Sequence, residues 1–395
     1  MNHLGDITKI RGSEAPVVDV VIGGSPCQDL SLAGKRAGLA GARSGLYMEQ
    51  IRIIKEMREA DVLRGRTDVG IRPRYMVWEN VPGAFSSNGG KDFAAVLEEA
   101  IRVAEPEAPN IPVPEKGWPT SGCFWDELGG WSIAWRVLDA QFWGVPQRRR
   151  RIALIADFGG LSAPEILFVR KSVSGNPEPG KQTGEETAGD AGESSGGAIG
   201  CDVYNGTLSG DKCVTLTANS CASSTHAGPT VVVPSVIAVD QGGGKSGARS
   251  YEGVSPTLTC THGGEPAVAY GIDLLKKILR RLIPLECERL QGFPDGWTDI
   301  GEWVDSKGKK HKEADTPRYK ALGNSIAIPP WKWVLKRLCA CYERDATMAS
   351  LFDGIGGFPY IWEQLNGKGS CLWASEIEEF PMAVTKLRFG GDRQR

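Results

Sequence analysis

A chain of 395 residues holds material for roughly two to three domains, and its 46 Lys and Arg against 48 Asp and Glu leave it nearly neutral. With 41% hydrophobic and 24% charged residues it has a globular composition rather than a disordered or fibrous one, and neutrality argues against indiscriminate polyanion binding while leaving room for a local basic stripe. No apolar run reaches the length of a membrane span, and residues 1–6 lack the basic start and apolar core of a signal peptide. The expected setting is therefore cytoplasmic, with no membrane partner and with the ten cysteines as thiols.

From residue 18 the apolar pattern alternates between strand and helix. Strands are expected at 18–22 and 75–78, helices over 46–59 and 93–103, and two more apolar runs follow at 132–138 and 151–156. This order reads as α/β, with the last two runs as neighbouring strands closing the sheet. From about Ser172 the composition shifts to Gly, Ser, Thr and Glu, as in Lys181-Gln182-Thr183-Gly184-Glu185-Glu186, which reads as a linker. Thr- and Val-rich runs bounded by Gly and Pro come next. Val214-Thr215-Leu216-Thr217 has a counterpart in Pro256-Thr257-Leu258-Thr259, and a second, β-rich domain is expected there. Helical signals return from Arg281 and end at 331–342. A fresh α/β stretch then has strands at 350–352 and 371–375, a helix at 357–365 with Pro359 in its first turn, and a helix at 380–387. Two strands are too few for a separate stable domain. They are expected to dock beside 18–22 in one sheet, buried on both faces.

Gly23-Gly24-Ser25-Pro26-Cys27-Gln28 follows the first strand directly and puts Cys27 in the loop at its carboxyl end, where open α/β sheets bind ligands. A nucleophilic thiolate suits that loop; a buried, inert thiol is the competing reading. Glu79-Asn80-Val81-Pro82 ends the neighbouring strand. Alone, Glu79 would read as a solvated loop residue, but beside a cysteine on an equivalent strand end it becomes a candidate acid whose pKa rises on burial. In Gln147-Arg148-Arg149-Arg150-Arg151, residues 147, 149 and 151 share one face of extended chain. That face suits a phosphate or a base oxygen, although charge runs are more often solvated. Leu351-Phe352-Asp353-Gly354-Ile355-Gly356-Gly357-Phe358 is strand, Gly-rich turn and helix, with Glu376 roughly 20 positions on where a ribose diol needs an acid. Together these indicate an adenosine-type cofactor, a dinucleotide or S-adenosylmethionine. No Cys-x-x-Cys pair occurs and the four His are scattered, so no metal is expected.

Pro26-Cys27-Gln28, Glu79-Asn80-Val81, Gln147-x-Arg149-x-Arg151, Glu286-Cys287-x-Arg289-Leu290-Gln291-Gly292-Phe293-Pro294, Gly323-Asn324-Ser325 and Phe352–Phe358 together resemble the motif set of the DNA (cytosine-5) methyltransferases. The likeness spans nearly the whole chain. It implies a Rossmann-like S-adenosylmethionine-dependent methyltransferase fold with a smaller β-rich target recognition domain. The family's usual order places the Gly-rich motif first and Gly-Asn-Ser last; reading from Ala349 to Gly390 and then on from His3 restores it, so a circular permutation is expected. The implied division is 1–160 for the first part of the catalytic domain, 161–300 for linker and recognition domain, and 301–395 for the catalytic remainder.

The resemblance also implies roles. Cys27 would be the nucleophile, Glu79 the acid at the base, Arg151 the holder of the base's carbonyl oxygen and Arg149 the fixer of the loop. Phe352, Asp353, Gly354, Ile355, Gly356, Gly357, Phe358, Glu376, Ile377, Asp6, Ile7, Pro26, Asn324 and Ser325 would line the S-adenosylmethionine site, with Ile377 standing where many members carry an aromatic. Gln28, Ser31, Lys35, Arg36, Arg43, Asn80, Val81, Gln147, Thr257, Leu258 and Arg289 would face DNA, the stretch from Gln28 to Gly45 acting as a lid. The implied partner is double-stranded DNA, bound by a monomer, together with a cognate restriction endonuclease if the chain is half of a restriction–modification pair. An RNA-directed enzyme, a catalytically inactive DNA-binding relative and a nicotinamide-dependent oxidoreductase are the alternatives.

Overall fold

The computed structural model describes residues 1–26, 45–168 and 282–390, and between 199 and 280 the backbone of eight short strands. The frame is an eight-stranded sheet. Its strands in chain order are β1 (Asn2–His3), β2 (Val20–Gly23), β3 (Tyr75–Asn80), β4 (Ser121–Trp125), β5 (Ser132–Asp139), β6 (Arg150–Asp157), β7 (Met348–Leu351) and β8 (Cys371–Ser375). Across the sheet they run β1-β8-β7-β2-β3-β6-β5-β4. The first five in that order are mutually parallel and the last three antiparallel. The two strands from the end of the chain therefore lie between the two from its beginning: Met348 pairs with Val20, Leu351 with Gly23, and Asn2 with Trp373. This is the docking expected from their apolar runs. The runs at 132–138 and 151–156 are likewise neighbouring strands, Ile133 opposite Ala156. The edge strand β4 and the two-residue β1 had no legible signal.

Helices cover both faces, which is why the central strands are apolar at consecutive positions rather than alternate ones. On one face Val21, Met76, Trp78, Ile152, Leu154, Ala349 and Trp373 pack against α1 (Gly45–Leu63) and α2 (Lys91–Ile101). On the other, Val20, Ile22, Val77, Ile155, Met348 and Cys371 pack with α3 (Ser162–Leu167), α4 (Pro284–Gln291), α5 (Asp315–Asn324), α6 (Ile328–Cys339), α7 (Gly357–Asn366) and α8 (Glu379–Phe389). Residues 162–167 and 282–297, which the sequence division places with the linker and recognition segment, contribute Ile166, Leu167, Leu282, Cys287, Leu290, Phe293 and Trp297 to this core. The short strands between 199 and 280 form small two- and three-stranded sheets, and one of them, Cys213–Val214, runs parallel to Gln147–Arg148. Among the described residues no helix is long and apolar enough to cross a membrane.

A carboxylate fixes where the late strands enter. Asp19 is buried just before β2 and accepts from both terminal nitrogens of Arg344 at 2.6 and 2.9 Å, from the Thr347 amide at 2.7 Å and from its hydroxyl at 3.0 Å. Burial pushes the Asp19 carboxyl up, but the hydrogen bonds from Arg344 and Thr347 outweigh it and hold the group below the usual carboxylate range. A carboxyl depressed in the folded state stabilises above its unfolded pKa, and that contribution is lost as pH falls through the folded value. Replacing Asp19 by Asn should cost about 2 kcal/mol at neutral pH. The gap to the parent should close as pH drops below about 4, which thermal melts of both proteins across that range will check.

Candidate active site

The carboxyl ends of β1, β8, β7, β2 and β3 form one rim, and the residues expected to carry chemistry lie along it. At the end of β3, Glu79 is half-buried and its Oε1 stands 2.8 Å from Nε of Arg151 on β6. The antiparallel register puts Glu79 opposite Ala153 and Asn80 opposite Ile152, so the arginine at the start of β6 arrives beside the acid at the end of β3. Glu79 thus sits on a cation, not alone in an apolar pocket as burial by itself would have it. On the neighbouring strand end, a Cβ on Gly24 would come within 3.0 Å of Glu79 Oε2, so the backbone leading to Cys27 passes directly against the acid. Ser25 secures that approach: its hydroxyl accepts from Trp78 Nε1 at 3.0 Å and its carbonyl from Asn80 Nδ2 at 3.3 Å. The Asn80 side chain also accepts from the Val81 amide at 2.8 Å. Asn80 and Val81 therefore shape the loop. Gly23 has a packing reason as well, because a Cβ there would meet Gln50 Oε1 at 2.4 Å. Pro26 is half-buried beside Ser25. Cys27, Gln28, Ser31, Lys35, Arg36 and Arg43, and Thr257 and Leu258, lie outside the described residues.

Arg149 does not join Arg151 at the acid. Its guanidinium is buried and donates to the carbonyls of Gly323, at 3.1 Å, and Ser325. Gln291 donates to the Leu322 carbonyl at 2.6 Å. Two side chains distant in sequence thereby hold the last turn of α5, where carbonyls lack helical partners, and leave Asn324 exposed at the turn while Ser325 is buried. Gln147 is fully buried, and neither its amide oxygen nor its nitrogen has a partner among the described residues. Arg289 forms a two-pronged pair with Asp295 at 2.7 and 2.8 Å.

The Gly-rich turn follows β7. Phe352 has φ of +56°, in the left-handed region that costs a non-glycine residue about 1–2 kcal/mol. Gly354 follows with φ of +57° and open space in front of it: a Cβ there would meet nothing within 4 Å. Gly356, φ +78°, is constrained differently, since a Cβ would stand 2.5 Å from the Phe389 ring. Ile355 and Phe358 are buried, and Gly357 begins α7. Glu376, at the end of β8, accepts from the Gly354 amide at 2.7 Å through Oε2 and from the Ile377 and Glu378 amides at 2.7 and 2.8 Å through Oε1. Burial raises its pKa, with the three amides opposing. Ile377 is 68% exposed. Asp6 reaches the same rim, because β1 pairs with β8 and Ser375 Oγ donates to the Gly5 carbonyl at 2.7 Å. Its carboxylate caps a short turn containing the buried Ile7 and is held below its usual pKa by the Thr8 amide and hydroxyl.

Beneath the turn lies a group the sequence reading did not separate from its neighbours. Asp353 is buried; its Oδ1 accepts from Ser350 Oγ at 2.5 Å and its Oδ2 has no partner among the described residues. Burial pushes its pKa up to about 8, the Ser350 hydroxyl opposing and the Glu376 charge adding. The signal available was the acid's position two residues past a strand buried on both faces.

The sequence model of the C-5 cytosine-specific DNA methylases matches residues 1–103 and 125–340. The chain belongs to this family. Among curated relatives, this methylase chain is 28% identical over 441 residues to a DNA N-6-adenine-methyltransferase of Escherichia phage P1, covering 87% of the chain and 56% of the relative. It is 26% identical over 337 residues to the type II methyltransferase M2.BsuMI of Bacillus subtilis strain 168, covering 84% and 62%. The methylase chain thus spans less than two thirds of the length of either. The S. pombe Dnmt2 methyltransferase structure is 14% identical with a TM-score of 0.40, covering 84% of this chain and 82% of that one.

The buried acid gives the family member a specific pH response. Unfolded, the Asp353 carboxyl ionises near 4, about its ordinary value; folded, it keeps its proton to about 8. The folded state holds the extra proton between these limits, so this group makes stability fall as pH rises through that window. The neutral substitution Asp353→Asn should remove the fall. The melting-temperature difference should move in the variant's favour from pH 5.5 to pH 8, as calorimetric scans will show.

Proposed function

We propose that this chain is a DNA cytosine-5 methyltransferase, which turns a cytosine out of duplex DNA and transfers a methyl group to its carbon 5 through a cysteine adduct. The observation that carries the reading is the Glu79–Arg151 pair at 2.8 Å, set against the Gly24 backbone that leads into Cys27. Carbon 5 of cytosine is a poor nucleophile. Addition of the Cys27 thiolate to carbon 6 makes an enamine, and the developing charge is offset by a proton taken up from solvent and delivered through the Glu79 carboxylate to ring nitrogen 3. Arg151 holds Glu79 in place and offers its remaining donors to the base's carbonyl oxygen. After transfer, solvent water takes the carbon-5 proton, the bond between carbons 5 and 6 becomes double again, Cys27 leaves as thiolate and ring nitrogen 3 returns its proton. The base has to leave the stack first, at a cost of a few kcal/mol (~2–4).

The rim suits an S-adenosyl group. Gly354 leaves open space before the turn, and Glu376, with three amides on its oxygens, retains acceptor capacity for a ribose hydroxyl. S-adenosylmethionine supplies an electrophilic methyl when bound. In this reading Asp6, Ile7 and Ile377 flank the adenine, Pro26, Asn324 and Ser325 the opposite side, and Phe352 the centre.

The motif order fits a circular permutation. The family match ends at residue 340, before the Gly-rich turn, while β7 and β8 lie in the sheet between β2 and β1. Residues 200–270 would be the recognition segment, with Thr257 and Leu258 beside the flipped base, and Lys35, Arg36 and Arg43 of the 28–45 lid on phosphates. The name of the phage P1 relative raises adenine N-6 as a second reading. An exocyclic amine is itself nucleophilic and needs no thiolate, so a cysteine three residues past Gly24, whose backbone meets Glu79, favours carbon.

Replacing Cys27 by Ser should lower methyl transfer by about 10³-fold or more, since a hydroxyl is a far weaker nucleophile than a thiolate. Bisulfite sequencing of DNA from cells making either protein reads this out; 5-methylcytosine at parental levels in the variant would overturn the mechanism. Glu376→Ala should weaken S-adenosylmethionine binding by about 10-fold, measured by calorimetry, and unchanged affinity would remove Glu376 from the cofactor site.

A further inference from the structure

Glu376-Ile377-Glu378-Glu379 carries the chain from β8 into α8, and its three carboxylates reach three different parts of the molecule. Glu376 holds the Gly-rich turn through the Gly354 amide at 2.7 Å. Glu378 accepts from Lys320 Nζ of α5 through both oxygens, at 2.7 and 2.9 Å. Glu379 accepts from the Ser306 amide at 2.8 Å and from the Ser306 hydroxyl. The fourth side chain, Ile377, is 68% exposed.

The first of these ties belongs to the site already described. The other two come from residues that no motif includes. Ser306 lies at the tip of a hairpin in which Trp303–Val304 pairs with Lys310–His311. Asp305 builds its turn, accepting from the Lys307 and Lys309 amides at 3.0 and 2.9 Å, and pairs with His311 at 2.9 Å. The Trp303 and His311 rings stack at 4.2 Å with 10° between planes, and Trp303 meets Phe380 of α8 edge-on at 5.6 Å. The hairpin is thus braced within itself and rests on the first turn of α8. Lys320 stands one helical turn before Asn324 on the same face of α5. The Glu378 side chain makes no cap hydrogen bond to α8, so its carboxylate is committed to Lys320.

A segment that a ligand must order on arrival gives up part of the ligand's affinity to that ordering, and a segment already held does not. We propose that Lys320 and the 303–312 hairpin are positioning elements of the cofactor site, holding 376–379 in place so that S-adenosylmethionine meets a preformed wall. The proposal rests on the reading of this rim as the S-adenosylmethionine site and deepens it. Neither element stands at the Glu79–Arg151 pair, so both should act on cofactor affinity and leave the chemical step alone.

Calorimetry with S-adenosylmethionine on the full chain compares the parent with K320A, E378A, K320A/E378A and S306A/K320A. Loss of one exposed tie should weaken binding about 3-fold, and loss of both ties about 10-fold. Lys320 and Glu378 act through each other, so K320A/E378A should bind no more weakly than either single variant. The K320A deficit should shrink between about 50 and about 500 mM salt, because an exposed pair is screened. Steady-state rates should show KM for the cofactor raised with kcat kept, and melting temperatures should stay within about 2 °C of the parent.

Parental affinity in S306A/K320A would overturn the proposal, as would a lowered melting temperature with affinity kept. If K320A weakens binding and E378A does not, the lysine touches the cofactor itself. If E378A weakens binding and K320A tightens it, the pair acts as bare charges on a cationic cofactor. Either result removes the positioning role. A parent that binds no S-adenosylmethionine would instead sink the cofactor reading beneath it.

Discussion

The structure depends on one pairing, that of Met348–Leu351 with Val20–Gly23. Both strands are buried on both faces, so neither can exist without partners on each side. Asp19 sets their register from below: a single carboxylate receives Arg344 and Thr347, and the strand that follows Thr347 enters beside the strand that follows Asp19. With that join made, the loop after β2 and the Gly-rich turn after β7 emerge side by side at the carboxyl edge. Without it, the acid pair and the Gly-rich turn would belong to separate objects.

At that edge, polar groups serve two ends. Some are turned outward to a ligand's side of the rim, such as Asn324 and the open face of Gly354. Others hold the backbone that presents them. Arg149 and Gln291 bind the end of α5, Ser25 binds the strand end of Glu79, and Glu376 gathers three amides from the turn and from its own strand end. A carboxylate holding three amides is fixed in orientation before any ligand arrives, and preorganisation of this kind makes a polar contact specific.

Much of this was legible in the sequence because burial on two faces leaves unbroken apolar runs. Residues 18–22, 75–78 and 350–352 stood out for that reason, and the strand ends then placed Glu79, Glu376 and Gly354. The edge strand Ser121–Trp125 did not stand out. It contains Gly122, where a Cβ would lie 2.3 Å from the Trp135 ring, so what makes it a strand is a neighbour's side chain lying across it. Arg149 was read on the same face as Arg151, as period-two geometry allows, but its direction is decided by carbonyls 174 and 176 positions away. The hairpin at 303–312 was missed because its inner face is a Trp–His stack resting on α8, which no local pattern announces. The ends of regular elements were readable, and the long-range polar partners were not.

The sheet's chain order has a consequence for synthesis. Asp19 and Thr347 are 328 positions apart, which at about 5–20 residues per second is roughly 15–65 s of translation. Throughout that interval β2 can pair with β3 on one side while its other edge, apolar above and below, has no strand to meet. An open apolar strand edge is a template for pairing with other chains. The nascent protein therefore carries its most aggregation-prone feature at the centre of its future sheet. The strand–helix units that begin at Met348 are the ones that close it.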